Sequence, residues 1–222
     1  MVRRFAPALL ALALSACGSL VPDSRSPAKP QVRAPRPVAV TPQSRQCLAT
    51  LSAEGAGFSP VTDRYYGAGC STVGTVNLTA LQGDAARFSL ANLGPVACPL
   101  AETTASWARF GVDRAARQVL GSPLARIETF GSYSCRDVAG SGRRSAHATA
   151  QAIDVSAFVL ADGRRVSVLA DWTEGTAQER QFLRLVHTSA CKRFGTVLGP
   201  DYNAAHKDHF HIEAGRSGGF CR

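Results

Sequence analysis

Four of the chain's five histidines fall in two short segments, Ser145-Ala-His147-Ala-Thr-Ala-Gln-Ala-Ile-Asp154 and His206-Lys-Asp208-His209-Phe-His211. A neutral imidazole offers one ring nitrogen as a base or metal ligand. His209 and His211 stand two apart, a spacing that turns both rings to one face of a strand. Asp154 opens the apolar run Val155-Ser-Ala-Phe158-Val-Leu160, where an ionised carboxylate needs a positive partner. A divalent cation supplies that charge. Two imidazole nitrogens and one carboxylate oxygen, with a fourth position left for water, form the ligand set of a catalytic zinc site. A lone His-x-His pair or a lone His-x6-Asp carries no such meaning; their conjunction does. His187 lies within a helical pattern and reads as a solvent-facing or capping residue.

Such a site needs elements that bring the two segments together. Ala152 to Leu160 and Arg164 to Leu169 flank Asp162-Gly163, a hairpin signal. Val73 to Leu78, with Val73, Thr75 and Asn77 on one side, Leu124 to Tyr133, Thr196 to Leu198 and Phe210 to Glu213 read as further strands. Apolar residues from Leu100 to Leu120 recur at helical spacing, broken near Gly111. Thr176 to Phe194 predicts a helix with Phe182, Leu185, Val186, Ser189, Ala190 and Phe194 in one stripe, ended at Gly195 by a left-handed cap. The expected fold is α+β: a single domain over residues 47–222, with a central antiparallel sheet flanked by helices.

The first residues read as an address. Arg3 and Arg4 precede an apolar stretch too short to span a bilayer, followed by small residues, as in an export signal over residues 1–16. Leu14-Ser-Ala-Cys17 resembles the bacterial lipobox, which implies lipidation of Cys17; Gly18 points to the outer membrane and a periplasmic location. Residues 17–46 form the expected tether, holding six of the chain's twelve prolines and little that is large and apolar. Setting Cys17 aside leaves six of the seven cysteines, and in an oxidising compartment these suggest three disulfides. None stands in a CxxC or short Cys/His cluster, which argues against a zinc ribbon or a thioredoxin-like centre.

The net charge of +9 first suggests nucleic acid. Its distribution argues otherwise. The leader carries +2 and the tether +4, leaving +3 on the domain, and no basic strip interleaved with aromatics appears. No nucleic-acid partner is expected, nor any oligomer.

The segments Gly131-Ser-Tyr-Ser-Cys135-Arg136, Ser145 to Phe158, Asp171-Trp172, Phe182-Leu-Arg184, Ala190-Cys191, Thr196-Val-Leu-Gly-Pro-Asp-Tyr-Asn203 through His211, and Cys221-Arg222 resemble the bacterial extensin-like C-terminal domain family. The shorter pattern Ser145-x-His147-x6-Asp154 with His209-x-His211 resembles the wider group of lysostaphin-type enzymes, D-Ala-D-Ala peptidases and the hedgehog domain. That resemblance implies Zn2+ held by His147, Asp154 and His211, and a fold of that group. It implies His206 as general base, with Asp208 the competing candidate, and His209 as a hydrogen-bonding group at the transition state. On a strand Asp208 would point away from His209 and His211, which favours His206. Arg136, Arg144 and Ser145 are candidates for holding substrate. Many members of the wider group carry Gly where this chain has Ala150, so the loop after His147 is expected to differ.

The implied activity is hydrolysis of peptidoglycan stems or cross-links next to D-Ala, as an endopeptidase rather than a carboxypeptidase on the strength of His206. The alternative is a zinc-containing module that binds the cell wall or a partner without hydrolysis, since a fold does not fix a function.

Overall fold

The computed structural model describes residues 41–222. Cys17, the leader and most of the tether lie outside the described residues.

The first element is a helix, α1 (Pro42–Ala53), which starts five residues before the expected domain boundary. Its start has a local cause. Thr41 accepts a hydrogen bond from the Ser44 backbone N–H, and Pro42 occupies the first turn, where its missing N–H costs nothing. Cys47 and Leu51 are the buried residues of α1, and the Cys47–Cys98 disulfide fastens it to α2 (Cys98–Trp107).

The strands are β1 (Gly57–Pro60), β2 (Tyr65–Gly67), β3 (Cys70–Ser71), β4 (Thr75–Gln82), β5 (Arg87–Ala91), β6 (Pro95–Ala97), β7 (Leu124–Gly131), β8 (Ala152–Leu160), β9 (Arg165–Ser167), β10 (Thr196–Leu198), β11 (Phe210–Glu213) and β12 (Phe220–Cys221). All but the β2–β3 hairpin form one large sheet, ordered β1-β4-β5-β7-β8-β11-β10-β12, with β6 on β4 and β9 on β8. It is mixed rather than antiparallel: β5–β7 and β10–β12 are parallel. The helical segment between β6 and β7 makes the crossover that a parallel neighbour requires. The Asp162-Gly163 turn joins β8 to β9 as expected, with Gly163 at a positive φ of 89°. β4 starts two residues later than predicted, because Gly74 turns the chain in the left-handed region. Val76, Leu78 and Leu81, rather than the Thr75 and Asn77 side, supply its buried apolar residues.

α2 does not break at Gly111. The helical chain runs on to Leu120 through wide π turns, Ala108–Asp113 and Ala116–Leu120. Glycine serves close approach there: a Cβ on Gly111 would lie 2.2 Å from Ser189 Oγ. Ser189 belongs to the longest described helix, α3 (Ala177–Cys191), which begins with a capping box between Thr176 and Glu179. Its buried residues are Phe182, Leu183, Val186 and Ala190; Leu185 is exposed, being rotated too far from their mean direction. Gly195 adopts no left-handed cap. It lets the chain pass against Gly215 and Gly219, where a Cβ would meet the Gly215 Cα at 2.7 Å.

Trp107, Phe158, Phe182, Phe194 and Phe210 form the aromatic centre of the core, meeting largely edge to face. Strict alternation along β8 would place Asp154 and Phe158 on one face. The register slips at Ser156, because Glu128 faces Ala157 while Thr129 faces Val155. This bulge lets Phe158 enter the core while Asp154 remains beside His211. Six cysteines make three disulfides, the other two being Cys70–Cys135 and Cys191–Cys221. No described helix is long and apolar enough to cross a membrane.

Candidate metal centre

Asp154 and His211 are direct cross-strand partners of β8 and β11. Their side chains therefore meet: His211 Nδ1 lies 2.8 Å from Asp154 Oδ1. His147 reaches them from a short 3-10 turn, Ala146–Thr149, with Nε2 3.2 Å from Asp154 Oδ2 and 3.2 Å from His211 Nδ1. The turn is built locally. Ser145 Oγ accepts the His147 backbone N–H, and Ala150 closes the turn in the left-handed conformation at φ 55°. A glycine would sit there without cost, so Ala150 accepts roughly 1–2 kcal/mol of backbone strain. In return its buried carbonyl receives the Ala97 N–H and the Ser132 hydroxyl, so the loop keeps the glycine-type geometry.

The outward nitrogens of these two rings are committed. His147 Nδ1–H donates to the Ser132 carbonyl at 2.5 Å, and His211 Nε2–H donates to Glu213 Oε1 at 2.9 Å. With those hydrogens placed, His147 Nε2, His211 Nδ1 and the Asp154 carboxylate turn three electron-pair donors toward one another. Something positive must lie between them. His147 and His211 are only 2% and 7% exposed, so bulk water cannot supply it. In the metal-free protein the charge is a second proton on His211. Burial pushes this ring down, but Asp154 and Glu213 outweigh it and raise the pKa to about 9. Burial likewise pushes Asp154 up, and the bonds from His147 and His211 outweigh it, holding it well below the usual carboxylate range. A tetrahedral ion with bonds of ~2.0 Å separates its ligands by ~3.3 Å, close to the spacing of the two ring nitrogens. The donor set thus fits a zinc-like ion, and the Ser132 and Glu213 acceptors are the outer partners that metal-bound histidines require.

The remaining candidates lie on the segment entering β11. His206 ends a short turn, Ala204–His206, and its Nδ1–H donates to Asn203 Oδ1 at 2.7 Å, leaving Nε2 free. Burial, then the neighbouring His209 and His211, lower its pKa to about 4; the Arg136 guanidinium adds to this. His209 Nε2 lies 3.5 Å from Asp154 Oδ1. Asp208 does not point away as strand alternation predicted. It precedes β11, where alternation does not yet apply, and its Oδ1 accepts His209 Nδ1–H at 2.9 Å.

The candidate substrate groups divide. Arg136 is exposed on the loop held by Cys70–Cys135, and its charge is felt at His206. Arg144 is ion-paired with Asp137 at 2.9 Å at the surface, and Ser145 is buried as the cap of the His147 turn. Sequence reading missed Ser132, Asn203 and Glu213. Only Glu213 left a signal, two residues beyond His211 on the same strand face. His187 is neither solvent-facing nor a cap: it packs against Trp172 and Phe210, with Nε2 buried and unpartnered.

A second cluster fixes the loop that carries Asn203 and His206. The Arg184 guanidinium lies 3.5 Å over the Trp172 ring, and both residues donate to Asp201, Trp172 Nε1–H at 2.8 Å. Trp172, Arg184 and Asp201 come from three of the separate sequence segments noted above. Their meeting gives those segments a common purpose.

This α+β domain, with histidines and one aspartate gathered at paired strands, matches the extensin-like protein C-terminus family over residues 45–222. The chain belongs to that family. No curated protein and no solved structure matches it.

Proposed function

We propose that the chain is a zinc-dependent peptidase of the cell envelope, hydrolysing peptidoglycan stems or cross-links next to D-Ala as an endopeptidase. In this reading a lipid on Cys17 holds it, as a monomer, to the outer membrane on the periplasmic side. The observation that carries the chemistry is the convergence of three electron-pair donors whose ring hydrogens are already bound elsewhere.

His147, Asp154 and His211 would hold the ion. When bound, zinc supplies Lewis acidity, polarising a carbonyl and acidifying water toward a pKa of ~7. His206 has the free lone pair, and Asn203 fixes its tautomer. It takes a proton from the attacking water and returns it to the leaving amine, work worth ~10²–10⁴-fold. Asp208 is occupied by His209, so it orients that ring rather than serving as base. So oriented, His209 would hydrogen-bond the developing oxyanion through Nε2. Arg136, whose charge is felt at His206, would receive a substrate carboxylate. Peptide stems of peptidoglycan are the amide polymer nearest to an outer-membrane lipoprotein facing the periplasm.

The zinc-loaded chain incubated with cross-linked muropeptides should give new fragments, lost on chelation and in His211→Ala. Tight binding to sacculi with metal present and no new fragments would replace the enzyme with a binding module.

A further inference from the structure

Five aromatic rings form an unbroken row beside the centre. Between ring centroids, Phe130 lies 5.8 Å from His209, His209 5.3 Å from His206, His206 5.5 Å from Tyr202, and Tyr202 5.7 Å from Phe220. The two histidines in its middle are those that attend the reacting bond in the peptidase reading. The rings flanking them, Phe130 and Tyr202, are 60% and 43% exposed. Other exposed aromatics are covered by cations: Phe110 by Arg109 and Arg114 at 5.2 and 4.7 Å, and Phe220 by Arg222 at 5.3 Å. Among the described residues no guanidinium or ammonium covers Phe130 or Tyr202.

Both rings are also held in place. Phe130 precedes Gly131, the cross-strand partner of Asp154, so the β7–β8 pairing that sets a metal ligand also sets this ring. Tyr202 stands between Asp201, bound by Trp172 and Arg184, and Asn203, which holds His206. Its backbone N–H donates to the Gly199 carbonyl at 2.9 Å. Apolar surface kept open on a rigid support beside a reactive group suits a surface that a ligand covers.

We propose that Phe130 and Tyr202 are substrate-binding residues that hold the peptide on the two sides of the scissile bond. This rests on the peptidase reading. Distance favours peptide over sugar as the occupant. Each ring lies 5.5–5.8 Å from one of the two histidines, and an extended peptide advances ~3.3 Å per residue. What covers the rings is therefore within about two residues of the scissile bond. Peptide side groups are there, and their methyl and methylene surfaces pack on aromatic faces. The sugars are attached at the other end of the stem.

The test is steady-state hydrolysis by the zinc-loaded full chain, on cross-linked muropeptides and on the same cross-linked peptides freed of sugar. KM should rise at least about threefold in Phe130→Ala and in Tyr202→Ala, and about tenfold or more in the double variant, on both substrates. Zinc content should stay at one per chain, and kcat within about twofold. Tyr202→Phe keeps the ring and should bring KM back toward the parent value. A fall in kcat with KM unmoved would make the rings braces for the histidines. A KM effect confined to the sugar-bearing substrate would assign them to the glycan. Either result, or parent-like kinetics in the double variant, would overturn the proposal while the peptidase stands. A parent that cleaves neither substrate would overturn the peptidase reading instead. Calorimetric binding of the cross-linked peptide then decides the rings: affinity should fall at least about threefold in the double variant, and equal affinities or no binding would overturn their role too.

Discussion

The two halves of the centre are built differently. Asp154 and His211 stand on strands that pair at those two residues, and His147 is set by a capped turn; all three are largely buried. His206 and His209 arrive on a connecting segment, steered by Asn203 and Asp208 and fastened from behind by the Trp172–Arg184–Asp201 cluster. The sheet half has little freedom, which suits groups that must meet an ion at fixed distances. The loop half has more, which suits groups that exchange protons with a substrate that comes and goes. Variants in the first half should therefore remove the metal, and variants in the second should spare it.

The largest effect is expected from Asp154→Asn and His211→Ala. Each removes a ligand, and the second also leaves two carboxylates facing each other without the cation between them. Zinc retained after dialysis should fall to background, and muropeptide hydrolysis with it, by at least ~10³-fold.

Asn203→Ala should break the comparison from the other side. His206 loses the acceptor that fixes its tautomer, so the rate should drop ~10–100-fold while one zinc per chain remains bound. Loss of the zinc in Asn203→Ala, measured by elemental analysis, would show that the halves are not separable.

Legibility from the sequence divides along the same boundary. Asp154 at the head of an apolar run and His211 in an alternating strand pattern are periodic signals, and the sheet puts them face to face. Cysteine parity correctly anticipates three bridges, but their pairing depends on the tertiary path and has no local signature. The bulge at Ser156, the backbone carbonyl of Ser132 and the amide of Asn203 leave no pattern at all. Asp208 shows the limit of periodicity most clearly: it lies two residues before the strand begins, where alternation does not hold. Leu185 and Gly195 fail for a related reason, since the face a helix buries and the use of a glycine are decided by the partner that packs there.

A smaller effect is expected at His187, on the helical side of β11. Burial holds its pKa below the usual 6.5, so the unfolded chain binds a proton that the folded chain refuses. Stability should fall as pH drops below about 6.5 and the unfolded ring takes up its proton. In His187→Leu this part of the acid loss should be absent, giving a shallower dependence of melting temperature between pH 7 and 5. Equal slopes for parent and variant would contradict the assignment.

The smallest effect is expected from Ala150→Gly. It relieves the left-handed strain but removes a buried methyl and frees the unfolded chain, terms of ~1 kcal/mol each and of opposite sign. Denaturant unfolding should place the variant within about 1 kcal/mol of the parent, with zinc binding unchanged.

The donor set itself is tested most directly by X-ray absorption at the zinc edge on the full chain carrying one equivalent of zinc. Two imidazole nitrogens with oxygen ligands at ~2.0 Å are expected, and His147→Ala should retain no zinc after dialysis. Sulfur scatterers, or a first shell that His147→Ala leaves unchanged, would contradict a centre held by His147, Asp154 and His211.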